Sequence, residues 1–305
     1  MALELIESLS LPGDVAKPNE DAFGHDAAAA VVLDGATPLG DPLMPGNSDA
    51  AWIATFGARR ILAHLRDGEG ARKALRGALA DTEKSFNALR RGDLEDVWQT
   101  PCASMMLATL SPSALRNASV ATGTSPAISA DALRGRGGEN EIEFLWFGDC
   151  AALLKQGDGP VTVIGETLDK KANESQTAAK AAKTNNAAAT DRARHMDVLR
   201  ARRNRINSGD YWLFSPDAGA ASHVSRRIVK VQPGAHLLLA SDGFLALASD
   251  YGAYSADSLM QACLDKGLAA LGEELRAIEG GDARGEKFPR FKKSDDATAL
   301  LLKLS

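Results

Sequence analysis

Three aspartates border short apolar runs that are far apart in the sequence. Asp34 follows the run 29–33, Asp242 follows the run 236–240, and Asp295 comes just before the run 299–302. A core strand that ends in Asp-Gly carries a carboxylate to its exposed end, where glycine permits a tight turn. Because Mg²⁺ and Mn²⁺ prefer oxygen ligands, Asp34, Asp242 and Asp295 are predicted metal ligands.

Two such ions about 3.5 to 4 Å apart acidify a bridging water and orient it for in-line attack on phosphorus. The competing phosphatase chemistries lack their residues. A cysteine phosphatase needs an arginine six positions after its cysteine, and those positions hold Ala108, Gln156 and Ala269. An aspartyl-phosphate enzyme needs Asp-x-Asp, but Ala36 stands two residues after Asp34. The sequence therefore favours hydrolysis of phosphate esters by water, without a protein nucleophile.

Further acids stand near the ends of other predicted strands. Glu20 and Asp21 are adjacent, and Asp149 lies in a tight turn of a predicted hairpin. The alternative is that all these acids are solvated strand ends in a metal-free domain. We favour the metal centre, because buried strands rarely end in carboxylates at so many places by chance.

Hairpin-like pairs of strands and consecutive pairs of helices should position these acids. This order favours an α+β fold with antiparallel sheets over a doubly wound sheet. Neither a dinucleotide-binding glycine motif nor a P-loop occurs. Strands are predicted at 3–11, 27–33, 101–110, 141–147, 151–154, 211–214, 228–231, 236–241 and 298–304, helices at about 50–65, 70–89 and 257–279, and a loop extension at 111–138.

Composition narrows the class of protein. The 305 residues, 45% of them hydrophobic, are enough for a real core, and a single domain is expected with a helical insertion or flap at 168–207. The net charge of −5 argues against a nucleic-acid binder, and three cysteines without a C-x-x-C pair argue against disulfides or a zinc ribbon. With no signal peptide and no apolar window near 18 residues, we expect a cytoplasmic protein that does not enter the membrane.

The chain resembles the metal-dependent serine/threonine protein phosphatases, the PPM or type 2C family, in their bacterial form. Six short segments carry this resemblance, and they occur in the family's order over nearly the whole chain. They are residues 19–22, 32–35, 102–105, 147–150, 240–244 and 295–298.

The resemblance implies a four-layer αββα sandwich, in which two antiparallel sheets are flanked by helix pairs. It also implies a phosphoserine and phosphothreonine protein phosphatase that uses two divalent ions, Mg²⁺ or Mn²⁺, with a weaker third. A phosphorylated protein is the implied substrate, and a kinase partner is left open. The alternative is a metal-binding relative that is catalytically inactive.

The resemblance also assigns roles to the acids. Asp34 would bridge both metals, Gly35 would offer its carbonyl oxygen, and Asp242 and Asp295 would bind the first metal. The remaining acids have outer roles: Glu20 and Asp21 would hold metal-bound waters, and Asp149 would complete the weaker third site. Asp34, Asp242 and Glu20 form the implied catalytic set.

The sequence departs from the family pattern at the phosphate-binding position. The family's arginine corresponds to Ala16, so another cation is needed. Lys17 is the slightly preferred candidate, because it is close in sequence to Glu20, and Pro18 makes the strand irregular enough for Lys17 to turn toward the site. The alternative is the arginine run of the flap, above all Arg202 and Arg203.

Overall fold

The computed structural model describes residues 1–111, 140–165, 168, 188–290 and 292–305. Its described strands form two antiparallel sheets of five strands each, in the orders β1-β10-β9-β6-β7 and β2-β3-β4-β5-β8. The strands are β1 (Leu3–Leu11), β2 (Asp21–His25), β3 (Ala29–Gly35), β4 (Ala103–Leu110), β5 (Glu141–Phe147), β6 (Ala151–Lys155), β7 (Thr162–Ile164), β8 (Ser225–Lys230), β9 (His236–Ala240) and β10 (Ala297–Leu304).

The two sheets pack face to face, and alternate residues of each central strand point to opposite faces. In β3, Val32 packs into the core between the sheets, whereas Leu33 packs against helices on the outer face. In β9, Leu237 likewise packs between the sheets, and Leu238 packs against helices on the outer face. Both faces are therefore buried, which explains why these strands are continuous apolar runs rather than alternating ones.

Helices cover the outer face of each sheet. One outer layer contains α1 and α2, and the other contains α4, α5 and α6. The helices are α1 (Asp49–Arg66), α2 (Ala71–Leu89), α3 (Ala188–Arg203), α4 (Asp242–Ser249), α5 (Ala256–Lys266) and α6 (Leu268–Gly281). The predicted fold class, an αββα sandwich of two antiparallel sheets, is confirmed.

Two predicted elements differ from the structure. Residues 211–214 do not form a strand: Tyr211 and Phe214 make isolated bridges to Ser208 and Ala103. The N–H of Leu213 donates to the side chain of Asn207 at 3.0 Å instead of to a neighbouring strand. The single helix predicted at 257–279 is two helices, α5 and α6, which are separated by Gly267 at φ 82°. A positive φ of this kind is open to glycine and interrupts the helix.

Parts of the sequence predictions lie outside the described residues. The loop extension at 111–138 is outside them except for Ser111, and most of the insertion at 168–207 is outside them up to α3. Among the helices that the structure describes, none is long and apolar enough to cross a membrane.

Glu7 of β1 caps the N-terminus of α6. Its carboxylate accepts the N–H of Leu268 at 2.7 Å and that of Ala269 at 3.0 Å. Glu7→Ala should lower the free energy of unfolding by about 1 to 2 kcal/mol, since helix N-caps contribute on this scale. Urea unfolding measures it, with exposed Glu4→Ala as the matched control. Equal losses in the two variants would contradict the cap.

Candidate metal centre

The registers of β2, β3 and β4 bring the first acids together. Asp21 on β2 lies directly opposite Asp34 on β3, and Asp34 lies opposite Ser104 on β4. Residues opposite each other on antiparallel strands have neighbouring side chains. Two acids that are not adjacent in the sequence therefore meet at one edge of this sheet.

The second sheet delivers its acids to the same place. Ala240 at the end of β9 pairs with Ala151 at the start of β6 and with Ala299 near the start of β10. In an antiparallel sheet the end of one strand lies beside the start of the next. Asp242 just after β9 therefore lies near Asp149, which comes just before β6.

One carboxylate oxygen from each of Asp34, Asp149 and Asp242 lies within 4.8 Å of the other two. The three acids line a cleft of about 660 Å³, which Gly35 and Asp295 also line. Asp149 belongs to this tight group. Asp295, which was predicted as a primary ligand, does not. The structure thus brings Asp149, predicted for the weaker third site, within 4.8 Å of both Asp34 and Asp242.

The glycines after Asp34 and Asp242 permit close approach of the backbone rather than the predicted tight turns. Neither has a positive φ, and Asp242 begins α4 directly after β9. A Cβ at Gly35 would lie 2.5 Å from the carbonyl oxygen of Ala50 in α1. A Cβ at Gly243 would collide with the carbonyl oxygen of Asp296. Glycine is needed at both positions because the neighbouring backbone is too near for a side chain.

Hydroxyl groups hold two of the acids in position. Ser104 donates to Asp149 Oδ1 at 2.6 Å, and Ser241 donates to Asp21 Oδ2 at 2.7 Å. Sequence reasoning gave neither serine a role. The only signal would have been their place inside two of the segments that resemble the family, since a single serine carries no spacing pattern of its own.

Asp296 joins the two loops that border the cleft. Its carboxylate accepts the N–H of Gly13 at 2.7 Å and that of Glu20 at 2.6 Å. Charge-assisted bonds of this kind fix a backbone more firmly than neutral ones. Asp296 therefore holds the segment that carries Glu20 and Asp21, although the sequence analysis gave it no role.

Glu20 is oriented by hydroxyls from two different elements. Ser48, at the N-terminus of α1, donates to Glu20 Oε1 at 2.6 Å, and Thr37 donates to Oε2 at 2.6 Å. The carboxylate is only partly buried. Its remaining lone pairs can accept further bonds from water.

The cluster is electrostatically incomplete without a cation. Burial, and then the charges of Asp21, Asp242, Asp149 and Asp295, raise the pKa of Asp34 well above its usual range. Burial is also the main cause that raises the pKa of Asp21 to about 7, against hydrogen bonds that lower it. In addition, Asp21 Oδ1 is buried without a hydrogen-bond partner. A divalent cation would favour the charged form of both aspartates and would give the buried oxygen a partner. An oxygen-rich site suits Mg²⁺ or Mn²⁺. The residues therefore fit the predicted metals.

Three cations line the cleft beside the acids: Arg202, Arg203 and Lys292. Arg203 donates to the carbonyl oxygen of Thr37 at 2.9 Å, and the guanidinium of Arg202 lies over the ring of Tyr211 at 5.7 Å. Burial opposes the charge of Lys292, but Asp295, Asp34 and Glu20 outweigh it and raise the pKa of the ammonium.

Lys17 does not reach this cleft, in contrast to the sequence expectation. Its side chain is 76% exposed, and its ammonium lies 3.9 Å from Asp14. The backbone N–H of Lys17 also donates to the Asp14 carbonyl oxygen at 3.0 Å, which closes a turn. This turn, rather than an irregular strand, holds Lys17 on the exposed loop.

Aromatic side chains form one wall of the cleft. Trp212 stacks on His223 at 3.4 Å between ring centroids, and Trp146 and Tyr211 line the same cavity. The indole N–H of Trp212 donates to the Gly209 carbonyl oxygen at 2.7 Å. The cleft is therefore lined by aromatic rings as well as by charged groups.

Comparison with known proteins rests on structure. No family model matches the sequence, and no curated protein matches it. The chain is similar to the serine/threonine phosphatase PstP/Ppp of Mycobacterium tuberculosis, with 15% identity and a TM-score of 0.53 over 100% of both chains. It is also similar to the catalytic domain of PstP in complex with two manganese ions, with 16% identity and a TM-score of 0.52 over 100% of both chains.

A third similar structure is that of a bacterial serine phosphatase, with 14% identity and a TM-score of 0.50 over 98% of this chain and 97% of the other. The chain has the fold of these serine/threonine phosphatases. The resemblance inferred from six short segments is confirmed at the level of the fold.

The acid cluster should make the metal-free protein less stable as the pH rises. The folded-state pKa of Asp21 is about 7, against an ordinary value of 3.8. Between these values the folded chain holds a proton that the unfolded chain lacks, so stability falls as pH increases and levels off above about 7. Asp34 contributes in the same direction.

We therefore expect the metal-free protein to melt at a higher temperature at about pH 5.5 than at about pH 7.5. Adding Mn²⁺ at the higher pH should restore the melting temperature, because the cation takes over the role of the protons. Asp21→Asn is the control and should weaken the pH dependence, since an amide does not titrate, while the contribution of Asp34 remains. A melting temperature of the metal-free protein that rises with pH would contradict this account.

Proposed function

We propose that this chain is a metal-dependent phosphoprotein phosphatase that hydrolyses phosphoserine and phosphothreonine. The observation that carries the proposal is the tight group of Asp34, Asp149 and Asp242 at the base of an open cleft. The fold shared with serine/threonine phosphatases supports it, as does the similar PstP domain that holds two manganese ions.

Two bound Mg²⁺ or Mn²⁺ ions would supply an activated water and neutralise charge on the phosphoryl group. Asp34, Asp149 and Asp242 would hold the ions with their carboxylate oxygens, and Gly35 would add its carbonyl oxygen. Asp295 would join from the rim of the cleft. Asp21 and Glu20 would accept hydrogen bonds from water at the centre, because each has oxygen lone pairs available.

The size of the cleft supports a protein substrate. A phosphate group fills only a small part of about 660 Å³, so the remaining space can hold neighbouring residues of a phosphorylated segment. A kinase must supply such a substrate, because only phosphoryl transfer to a hydroxyl forms the ester that is cleaved. We keep a kinase partner and a cytoplasmic location as predictions.

A metal-binding but inactive protein was the alternative, because Ala16 replaces the expected arginine. Arg202 and Arg203 line the cleft, so the cleft has cations for a phosphate without an arginine at position 16. This observation supports the active enzyme. It also favours these two arginines over Lys17 as phosphate ligands.

Asp34→Asn and Asp242→Asn should each abolish Mn²⁺-dependent hydrolysis of p-nitrophenyl phosphate and of phosphopeptides. Each change removes the charge of a ligand but keeps its volume, so the circular dichroism spectrum should be unchanged. The exposed Asp41→Asn is the matched control and should keep wild-type activity. Wild-type turnover in both cleft variants would exclude the assignment, and an inactive wild-type protein that binds Mn²⁺ would favour the regulatory alternative.

Arg202→Ala/Arg203→Ala should lower kcat/KM on a phosphopeptide by about one to two decades, because charge-assisted hydrogen bonds contribute about 1.5 to 3 kcal/mol. Lys17→Ala should have no effect, since Lys17 lies on an exposed loop outside the cleft. Exposed Arg205→Ala controls for loss of positive charge from the same segment. The opposite result, a loss with Lys17→Ala alone, would restore the choice made from the sequence.

A further inference from the structure

Lys292 lies at the rim of the metal centre. Its ammonium is 3.0 Å from Asp295 Oδ1 and 3.1 Å from Thr37 Oγ1. The side chain is 52% exposed and lines the same cleft as Asp34 and Asp242. A solute that enters the cleft therefore meets this cation beside the acids.

The hydrogen bonds around Thr37 define how Lys292 is held. The single proton of the Thr37 hydroxyl goes to Glu20 Oε2 at 2.6 Å, so the hydroxyl accepts from Lys292. An ammonium group has three N–H donors. Asp295 and Thr37 accept two of these N–H groups, and no other described residue accepts the third. One donor is thus available to a ligand in the cleft.

The loop that carries Lys292 is fixed at several points. Arg276 donates to the carbonyl oxygen of Asp295 at 2.9 Å and to those of Leu11 and Pro12 at 3.1 and 3.2 Å. The carboxylate of Asp296 holds the β1–β2 loop from the other side. A cation on a fixed loop loses little entropy when it binds a ligand.

Arg203 approaches the same residue from α3. Its guanidinium donates to the Thr37 carbonyl oxygen at 2.9 Å, while Lys292 donates to the Thr37 hydroxyl. Cations from the C-terminal loop and from α3 thus converge next to Glu20. A phosphate ester beside the acid cluster would therefore lie near both positive charges.

Stability alone does not explain this arrangement. Lys292 and Asp295 form a half-exposed ion pair three residues apart, and exposed pairs of this kind contribute little to folding. Placing such a charge beside a metal ligand also opposes metal binding. A gain for a bound anion accounts for a cation at this position.

We propose that Lys292 is a phosphate-binding residue, whose ammonium donates to an oxygen of the substrate's phosphoryl group in place of the arginine missing at position 16. This inference rests on the proposed function for its metal centre. It assigns the role to a residue 276 positions after Ala16 in the chain. Lysine binds phosphate as a point charge, without the bidentate geometry of arginine.

The test uses Lys292→Met, which keeps the length of the side chain and removes its charge. Binding of inorganic phosphate to the protein at saturating Mn²⁺ is measured by calorimetry, separately from hydrolysis. We expect the Kd for phosphate and the KM for a phosphopeptide to rise about tenfold or more, because a charge-assisted bond is lost. Lys292→Arg should restore both, and exposed Lys293→Met should leave both unchanged.

An unchanged Kd for phosphate in Lys292→Met would overturn the proposal. If that variant bound Mn²⁺ more tightly at the same time, Lys292 would be only a counter-ion of Asp295. The two hypotheses can fail separately: an inactive protein whose phosphate binding depends on Lys292 would refute the phosphatase and keep this residue's role. An active wild-type enzyme with unaltered phosphate binding in Lys292→Met would keep the phosphatase and refute the role of Lys292.

Discussion

Mutual repulsion of carboxylates in a partly buried cleft is the constraint on which the arrangement of this protein depends. Asp34 has four other aspartates near enough to raise its pKa, and burial adds to their effect. Removing charged groups from water is costly unless opposite charges compensate. The folded chain must therefore hold these acids together against an electrostatic cost and offer the site to cations.

The two stacked sheets meet this constraint by geometry. Antiparallel strands place the end of β3 and the end of β9 at one edge of the sandwich, where the starts of neighbouring strands also lie. Both faces of these strands are buried, so their register cannot slip without exposing apolar residues. The burial of both faces thus fixes the positions of the acids. Gly35 and Gly243 then let the surrounding backbone come close.

The substrate side of the cleft is built from different parts of the chain. Its cations come from α3 and from the loop before β10, and both reach Thr37. An arginine close to the acidic segment 19–22 is therefore not the only way to place positive charge beside such a centre. The cleft therefore has positive charge beside its acids although Ala16 stands at the expected position.

Local patterns in the sequence were enough to predict an α+β fold with antiparallel sheets and the acids as a set, and the family resemblance added the four-layer arrangement. Apolar runs that end in aspartate are local signals, and Asp34, Asp149 and Asp242 meet in space because strand ends from both sheets come together. The cap of α6 depended on Glu7, which is distant in sequence from Leu268. The phosphate side depended on Lys292 reaching Thr37, while Lys17 closed a turn with Asp14. Only the tertiary structure decided these points, because hydrogen bonds between residues far apart in the chain leave no spacing pattern in the sequence.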